Sequence, residues 1–483
     1  MASSDTPSLS DEVIRDQLLS AVHQWSLSNG LVMYQPNFKL ESASTAPITL
    51  YPTPMPKVSF ENAIAVQSAY NELYSKISQN SNDQWLSREV AKFAEFDHDF
   101  TGKLWNLYLR SLKEGCFQKL RLGVFRSDYL VDKKQNEIKQ VEFNTISVSF
   151  GGLSTKIGEL HNYLNKSGKY APAEGSAFYS NEIPISKSAF ALADGLATAV
   201  RHYDSLQKNP IVAFVVQEGE RNVFDQRLIE YNLLQAHGIQ TVRFTLEEVN
   251  THTRVDSKSK RLFWRTTGQE IAVVLFRSAY SPSDFKTEQS WENRLTLETS
   301  YAIKAPDLLT QLAGTKKIQQ LLTDEQTLRM FVPEEMQRER LLSTFVKMYP
   351  LDNSSLGEEG KRLAFEDPSR FVLKPQREGG GNNIYKEDIP AALKELDEEE
   401  WSAYILMELI EPEPNQKNVI IRGEKLYREP ILSELGIFGC VLFDETKIHY
   451  NECAGWLLRS KFNSSNEGGV AAGFGCVDSL ILK

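Results

Sequence analysis

Only four of the 483 residues are cysteine, Cys116, Cys440, Cys453 and Cys476, and none stands in a CxxC or other paired spacing. That excludes a disulfide scaffold or a cysteine-rich zinc site, and reduced thiols of a cytoplasmic protein are expected. No uninterrupted apolar run approaches the length of a membrane span. The opening Met1-Ala2-Ser3-Ser4-Asp5 has neither a basic start nor an apolar stretch, so no secretory signal is expected. Positive charge is short as well: a formal charge of −10 argues against a general binder of nucleic acid or anionic membrane. The chain has no GxxxxGK[ST] P-loop, no HExxH, no GxSxG and no kinase HRD/DFG set, which removes the commonest P-loop, zinc-hydrolase, acyl-serine and protein-kinase readings.

What is present suits a folded protein of roughly three domains on the length prior. Hydrophobic residues make up 41% and charged residues 24%, ordinary for a globular chain. Residues 10–28 predict an amphipathic helix with Val13, Ile14, Leu18, Val22 and Trp25 on one face and Asn29-Gly30 as its stop. A Pro-rich extended piece (51–56) and helical patterns from 61 to 114 follow. The acidic run 395–400 reads as a solvated helix face. Pro210 to Gln217 is apolar throughout, as in a strand buried on both faces. A helix over 225–237 ended by Gly238, a strand at 241–244 and a buried strand at 271–276 complete an α/β unit over 205–314.

Lys374-Pro375-Gln376-Arg377-Glu378-Gly379-Gly380-Gly381-Asn382-Asn383 follows Phe371-Val372-Leu373, a buried-strand pattern. A cation and a carboxylate thus stand at a strand end with three glycines behind them. Lacking Cβ atoms, such a run can turn its N–H groups toward phosphate oxygens. Lysine offers phosphate a point charge, and glutamate offers an oxygen to the magnesium that accompanies a nucleotide. A plain glycine-rich surface loop is the alternative, which the flanking Lys, Arg, Glu and Asn pair disfavour.

Lys139 to Ile146 alternates, so that Val141 and Phe143 should point to one face and Glu142 and Asn144 to the other. Two oxygen-bearing side chains in a row suit magnesium; on an isolated strand they would equally be its wet face. The continuation Ser147-Val148-Ser149-Phe150-Gly151-Gly152 supports the functional alternative, because small hydroxyls and glycines can hold a carboxylate close to the backbone. Arg126 follows another apolar run, as an anion clamp or as one half of an ordinary ion pair. Glu220-Arg221-Asn222 with Gln226, and Arg277 with Tyr280, fall at carboxyl ends of expected strands, where open parallel sheets bind ligands; each cluster alone is equally a set of loop residues. Trp401 to Ile410 predicts a strand running into a Pro-containing linker, the form of a nucleotide hinge and also of plain core. Ile431 to Phe438 predicts a strand with one acid, Glu434. Arg459 and Lys461 precede a small-residue loop, 467–475, able to close over a ligand.

In Val141 to Ser147, Glu220 to Gln226, Ala305-Pro306-Asp307 through Gly314-Thr315-Lys316-Lys317, Lys374 to Asn383, and Leu458 to Lys461 with Gly468 to Gly473, the chain resembles the eukaryotic glutathione synthetases, ATP-grasp ligases, over nearly its whole length. The resemblance implies an α/β protein: an ATP-grasp fold with an inserted Rossmann-like substrate-binding domain and glycine-rich lid loops. The implied parts are 1–204 (helical, with the metal strand), 205–314 (inserted substrate domain) and 315–483 (nucleotide part with lid and C-terminal substrate loop). The implied activity is ATP-dependent ligation of γ-glutamylcysteine with glycine, in a homodimer with two magnesium ions per site. Ligation with β-alanine or a polyamine, or a non-catalytic ATP-binding scaffold, are the alternatives.

Carried over by the same resemblance, Glu142, Asn144 and Glu378 are the magnesium ligands. ATP contacts are Glu142, Lys316, Lys374, Gly379, Gly380, Gly381, Asn382, Asn383, Tyr385, Met407, Glu408, Leu409, Ile410, Glu434, Lys461 and Glu467. Substrate contacts are Arg126, Ser147, Ser149, Glu220, Asn222, Gln226, Arg277, Tyr280, Arg459, Val470 and Ala471, with Arg459, Lys461 and Arg126 as the catalytic set. Ala471-Ala472 fits glycine as acceptor.

Overall fold

The computed structural model describes residues 6–80, 82–172, 174–379, 381–466, 468–470, 473 and 475–483. Two sheets dominate it. The larger is twelve-stranded and mixed, and its central strand, Arg121–Val131, is almost wholly buried. On one side this strand pairs antiparallel with Ile431–Phe443, which continues through a hairpin into Ile448–Phe462. On the other side its partner changes along its length. Arg121 pairs with Lys304 of the parallel strand Ile303–Ala305, whereas Arg126 to Val131 pair with Ile138–Asn144. Beyond Ile303–Ala305 the sheet continues through the parallel strands Ile271–Phe276, Ile211–Val215 and Thr241–Phe244.

The expected α/β segment therefore extends the same large sheet. Its strands Ile211–Val215 and Ile271–Phe276 are uniformly apolar because helices cover them, whereas Thr241–Phe244 is half-buried. Helix Val223–His237 ends at Gly238 in the left-handed region, φ 68°, as the Gly signal predicted. The N-terminal helical stretch runs from Asp11 to Asn29, with a π-helical turn at Ile14–Leu18, and buries Ile14, Leu18 and Val22. Helix Lys57–Gln79 packs on the Ile431–Phe462 hairpin, and its Tyr74 stacks on Phe143 of strand Ile138–Asn144 at 3.8 Å between ring centroids. The second sheet is antiparallel and four-stranded, in the order Met348–Pro350, Ile405–Glu408, Phe371–Lys374 and Ile384–Tyr385.

Two local expectations are corrected. Only Ile405–Glu408 of the 401–410 stretch is strand; Glu398–Ala403 forms a 3₁₀ turn started by an Asp397–Glu400 capping box. Strict alternation also fails in Ile138–Asn144. Register shifts between Gln140 and Glu142, so Val141 is the extra residue of a bulge and joins Glu142 and Asn144 on the cleft wall, while Phe143 stays in the core.

Candidate active site

A cleft of about 1140 Å³ opens where the two sheets face each other. On the large-sheet side, register places Arg126 opposite Asn144, Asp128 opposite Glu142, and Glu434 opposite Arg459. Arg126 grips Asp128 through two bonds, donating from Nε at 2.6 Å and Nη2 at 2.7 Å. Arg459 reaches the same carboxylate at 3.3 Å and donates Nε to Glu434 at 3.0 Å. Asn144 gives its Nδ2 to Asp128 at 3.0 Å and to the Arg126 carbonyl at 3.3 Å.

Lys374, the last residue of its strand, comes from the small sheet. It is 4% exposed and donates to the carbonyl of the bulged Val141 at 2.8 Å. Lys316, 3% exposed at the start of helix Lys316–Leu322, bridges Glu142 and Glu378 at 3.1 Å each. Burial alone would raise Glu142, but Lys316, Lys374, Arg459 and Arg126 outweigh it and hold this carboxyl well below the usual carboxylate range. Burial pushes Glu378 up to about 7 against the pull of Lys316, and the neighbouring Glu142 charge adds to the rise. Burial would lower Lys316, yet its two carboxylates raise it. Lys374 is brought down to about 8 by burial, which Glu142 only partly opposes.

The glycine-rich turn needs its glycines for conformation: φ is +82° at Gly379 and +94° at Gly381. Asn382 donates to the Gly379 carbonyl at 3.0 Å and Asn383 to the Tyr385 hydroxyl at 3.4 Å. Arg377 ties the base of the turn to Asp97, with Nη2 2.8 Å from Oδ1. Met407 to Ile410 line the cleft, but the Glu408 and Leu409 amides already donate to the Lys347 and Arg370 carbonyls at 3.0 and 2.8 Å. Those two amides are therefore committed within the fold.

The cleft wall thus gathers Arg126, Glu142, Asn144, Ser147, Ser149, Tyr280, Lys374, Glu378, Gly379, Asn382, Asn383, Tyr385, Met407, Glu408, Leu409, Ile410, Glu434, Arg459, Lys461 and Val470. Lys461 donates to the Asn466 carbonyl at 2.6 Å. Arg277 stands behind the wall, donating to Ser149 Oγ at 2.7 Å and to the Val148 carbonyl. Glu220, Asn222 and Gln226 form a cluster of their own off that wall. Glu220 accepts from the Asn222 amide at 2.9 Å and from Gln226 Nε2 at 2.7 Å. Gly380, Glu467 and Ala471 lie outside the described residues.

Sequence reasoning passed over two carboxylates. Asp225, fully buried, accepts the amides of Phe150, Gly152 and Leu153 at 2.8, 2.6 and 3.0 Å and so caps helix Gly151–Lys166 from another element. Asp128, 1% exposed, is the other. Its signal was the two-residue spacing from Arg126 on one strand, which puts both on one face.

Among the described residues no three His, Cys, Asp or Glu side chains form a metal-binding group by themselves. Two carboxylates and one amide oxygen, from Glu142, Glu378 and Asn144, still fit magnesium, which binds through one or two carboxylates and fills the rest of its octahedron with water and substrate phosphate. Charge balance agrees. The cations Arg126, Lys316, Lys374, Arg459 and Lys461 are nearly matched by Glu142, Glu378, Asp128 and Glu434, so a polyphosphate entering here needs its own counter-cations.

Such a cleft, with buried lysines and a glycine-rich turn between two sheets, defines an α/β protein of the nucleotide-handling class. Residues 12–482 match the family model "Eukaryotic glutathione synthase, ATP binding domain". The chain is 40% identical over 497 residues to the glutathione synthetase large chain of Schizosaccharomyces pombe, covering 97% of this chain and 98% of that one. It is 42% identical over 444 residues to the glutathione synthetase of Homo sapiens, covering 91% and 90%. Among solved structures it resembles a glutathione synthetase-like effector from Globodera pallida, with TM-score 0.74, 22% identity and 98% of each chain covered. The chain belongs to the eukaryotic glutathione synthetase family.

Proposed function

We infer that this protein is an ATP-dependent glutathione synthetase, joining γ-glutamylcysteine to glycine with release of ADP and phosphate. The observation that carries this is Lys316, buried behind the cleft wall and bridging Glu142 and Glu378, which line the same cleft as Lys374 and the Arg126–Arg459 pair. Burying that many ionised groups is costly, and such clusters concentrate at functional sites.

A carboxylate resists attack by an amine because its charge repels the nucleophile and oxide leaves poorly. In the proposed sequence the cysteinyl carboxylate oxygen bonds to the γ-phosphorus of ATP as the bond to ADP breaks. The glycine nitrogen then attacks the acyl carbon, phosphate leaves and the amine sheds a proton. Magnesium, when bound by Glu142, Asn144 and Glu378, neutralises phosphate charge. Lys316, Lys374 and Lys461 add positive charge, and Tyr385, Glu434, Asn382, Asn383 and Met407 to Ile410 hold the rest of the nucleotide. Arg126, Arg459, Ser147, Ser149 and Tyr280 orient the acyl substrate, with Glu220, Asn222, Gln226 and Arg277 at its γ-glutamyl end. The loops of Gly379–Gly381 and 467–475, with Glu467, Val470 and Ala471, close over the site and exclude water.

We assign residues 205–314 to an inserted Rossmann-like domain of an ATP-grasp fold, between parts 1–204 and 315–483. We also propose two magnesium ions per site, a homodimer and a cytoplasmic location. ADP release with magnesium-ATP and γ-glutamylcysteine, measured with glycine, with β-alanine and without acceptor, tests the central reading. Glycine-dependent turnover to the tripeptide is expected. Preference for β-alanine would overturn the acceptor, and ATP binding without turnover would overturn the ligase.

A further inference from the structure

We propose that Asp128 is a positioning residue of this site: it sets which atom of Asn144 faces the metal position and fixes the spacing of the two guanidiniums Arg126 and Arg459. The proposal rests on the reading of Asn144 as a magnesium ligand. An asparagine amide presents either an acceptor or a donor to its surroundings, and only the oxygen can ligate a cation. Here the NH₂ group is drawn backward, to Asp128 Oδ2 at 3.0 Å and the Arg126 carbonyl at 3.3 Å, which turns Oδ1 toward the cleft. The same carboxylate takes Arg126 through two bonds, 2.6 and 2.7 Å, and Arg459 at 3.3 Å. Two like-charged forks that would otherwise repel are thereby held against one buried anion.

A second element is shaped around this carboxylate. Gly436 is its cross-strand neighbour, and a Cβ there would lie 2.8 Å from Asp128 Oδ1 and 2.9 Å from Arg126 Cδ. Neither buried side chain can swing aside without breaking the pair. Glycine at 436 keeps the space the Arg126–Asp128 plane occupies. Partners standing behind a metal ligand commonly change metal affinity or activity 10–100-fold when replaced.

The experiment compares Asp128→Asn and Gly436→Ala with the unaltered protein. ATP binding is measured calorimetrically with and without magnesium and with no acyl substrate or acceptor, alongside kcat and KM for ATP. The Asp128→Asn change keeps the shape of the side chain but leaves only one acceptor oxygen for the amide and both guanidiniums. Both variants should bind metal-free nucleotide as before, lose about 10-fold or more of the magnesium-dependent tightening, and lose about 10–100-fold in kcat. Ser127→Ala, on the opposite face of the same strand, should change none of these. Unaltered magnesium tightening and kcat in Asp128→Asn would overturn the proposal. So would an equal loss of affinity with and without metal, the mark of a purely structural role. Should the unaltered protein itself bind ATP indifferently to magnesium, the functional reading falls before any variant is compared.

Discussion

At the scale of single residues, burial against paired charge decides the behaviour of the site. Lys316 is the clearest case, because it stands between Glu142 and Glu378 and pairs with both. Lys316→Met should leave two partly buried carboxylates facing each other. Breaking such a pair costs about 3–5 kcal/mol, and the lower end is expected here, since Glu378, already near 7, relieves the repulsion by taking a proton. Denaturant unfolding without nucleotide reads that loss, and glycine-dependent turnover should vanish with it. Arg459→Ala tests the substrate side. It removes a cation held by Glu434 and Asp128, so turnover should fall and the KM for γ-glutamylcysteine rise. Unchanged turnover and unchanged constants for both substrates would show that Arg459 does not hold the substrate.

At the scale of elements, the site depends on segments tied together from far along the chain. Arg377 and Asp97 are 280 positions apart and clamp the base of the glycine-rich turn to the connection between helices Trp85–Ala94 and Thr101–Glu114. A double-mutant cycle with Arg377→Gln and Asp97→Asn should return a coupling above about 1 kcal/mol, as contacting charged partners do. Its functional counterpart is a raised KM for ATP, since Glu378 and the turn follow directly. Additive effects would mean the clamp is passive. Asp225 plays a comparable part for Ser147 and Ser149. Asp225→Ala would strand three buried amides at the start of helix Gly151–Lys166, each costing about 1–3 kcal/mol if no water replaces the carboxylate. The expected signs are a lower melting point and early hydrogen exchange at 150–153.

For the whole molecule, two opposed contributions to pH dependence come from a buried polar knot behind the Arg459–Lys461 strand. Asp478 accepts from Ser460, Thr49 and Thr53 at 2.6, 2.6 and 2.7 Å, and His161 contacts Ser479 Oγ at 2.6 Å and the Thr49 carbonyl at 2.9 Å. Burial raises Asp478 from 3.8 to about 6, against the pull of its hydroxyl donors. Its folded value lies above its unfolded one, so its stabilising share is complete below about pH 4 and lost as pH rises through 6. Burial lowers His161 from 6.5 to about 4, opposed by the Thr49 carbonyl. This share is present above about pH 6.5 and lost as pH falls toward 4. Each amounts to roughly 3 kcal/mol at 1.36 kcal/mol per unit, and the two run in opposite directions over the same window. Asp478→Asn should therefore lose more stability than the unaltered protein on acidification from pH 6 to 4. His161→Gln should expose the converse gain. Melting points across that window, compared by variant, decide both.

The sequence by itself determined the repeating local patterns. The apolar strands at 211–215 and 271–276, the Gly238 stop, the strand end at Lys374 and the glycines of its turn follow from periodicity and backbone freedom, which act over a few residues and need no partner. It also marked Glu142, Asn144, Glu378, Arg459 and Lys461 by residue type and order. Only the tertiary structure decided how they meet. Val141 turned to the cleft because a register shift against Arg121–Val131 inserted a bulge. Residues 401–403 left the expected strand because Asp397 and Glu400 close a capping box. Asp128 and Asp225 gained their importance from amides and guanidiniums lying far away in sequence. Pattern along a chain reports which face a residue turns to; pairing across strands, with the burial and charge it brings, decides what stands opposite it.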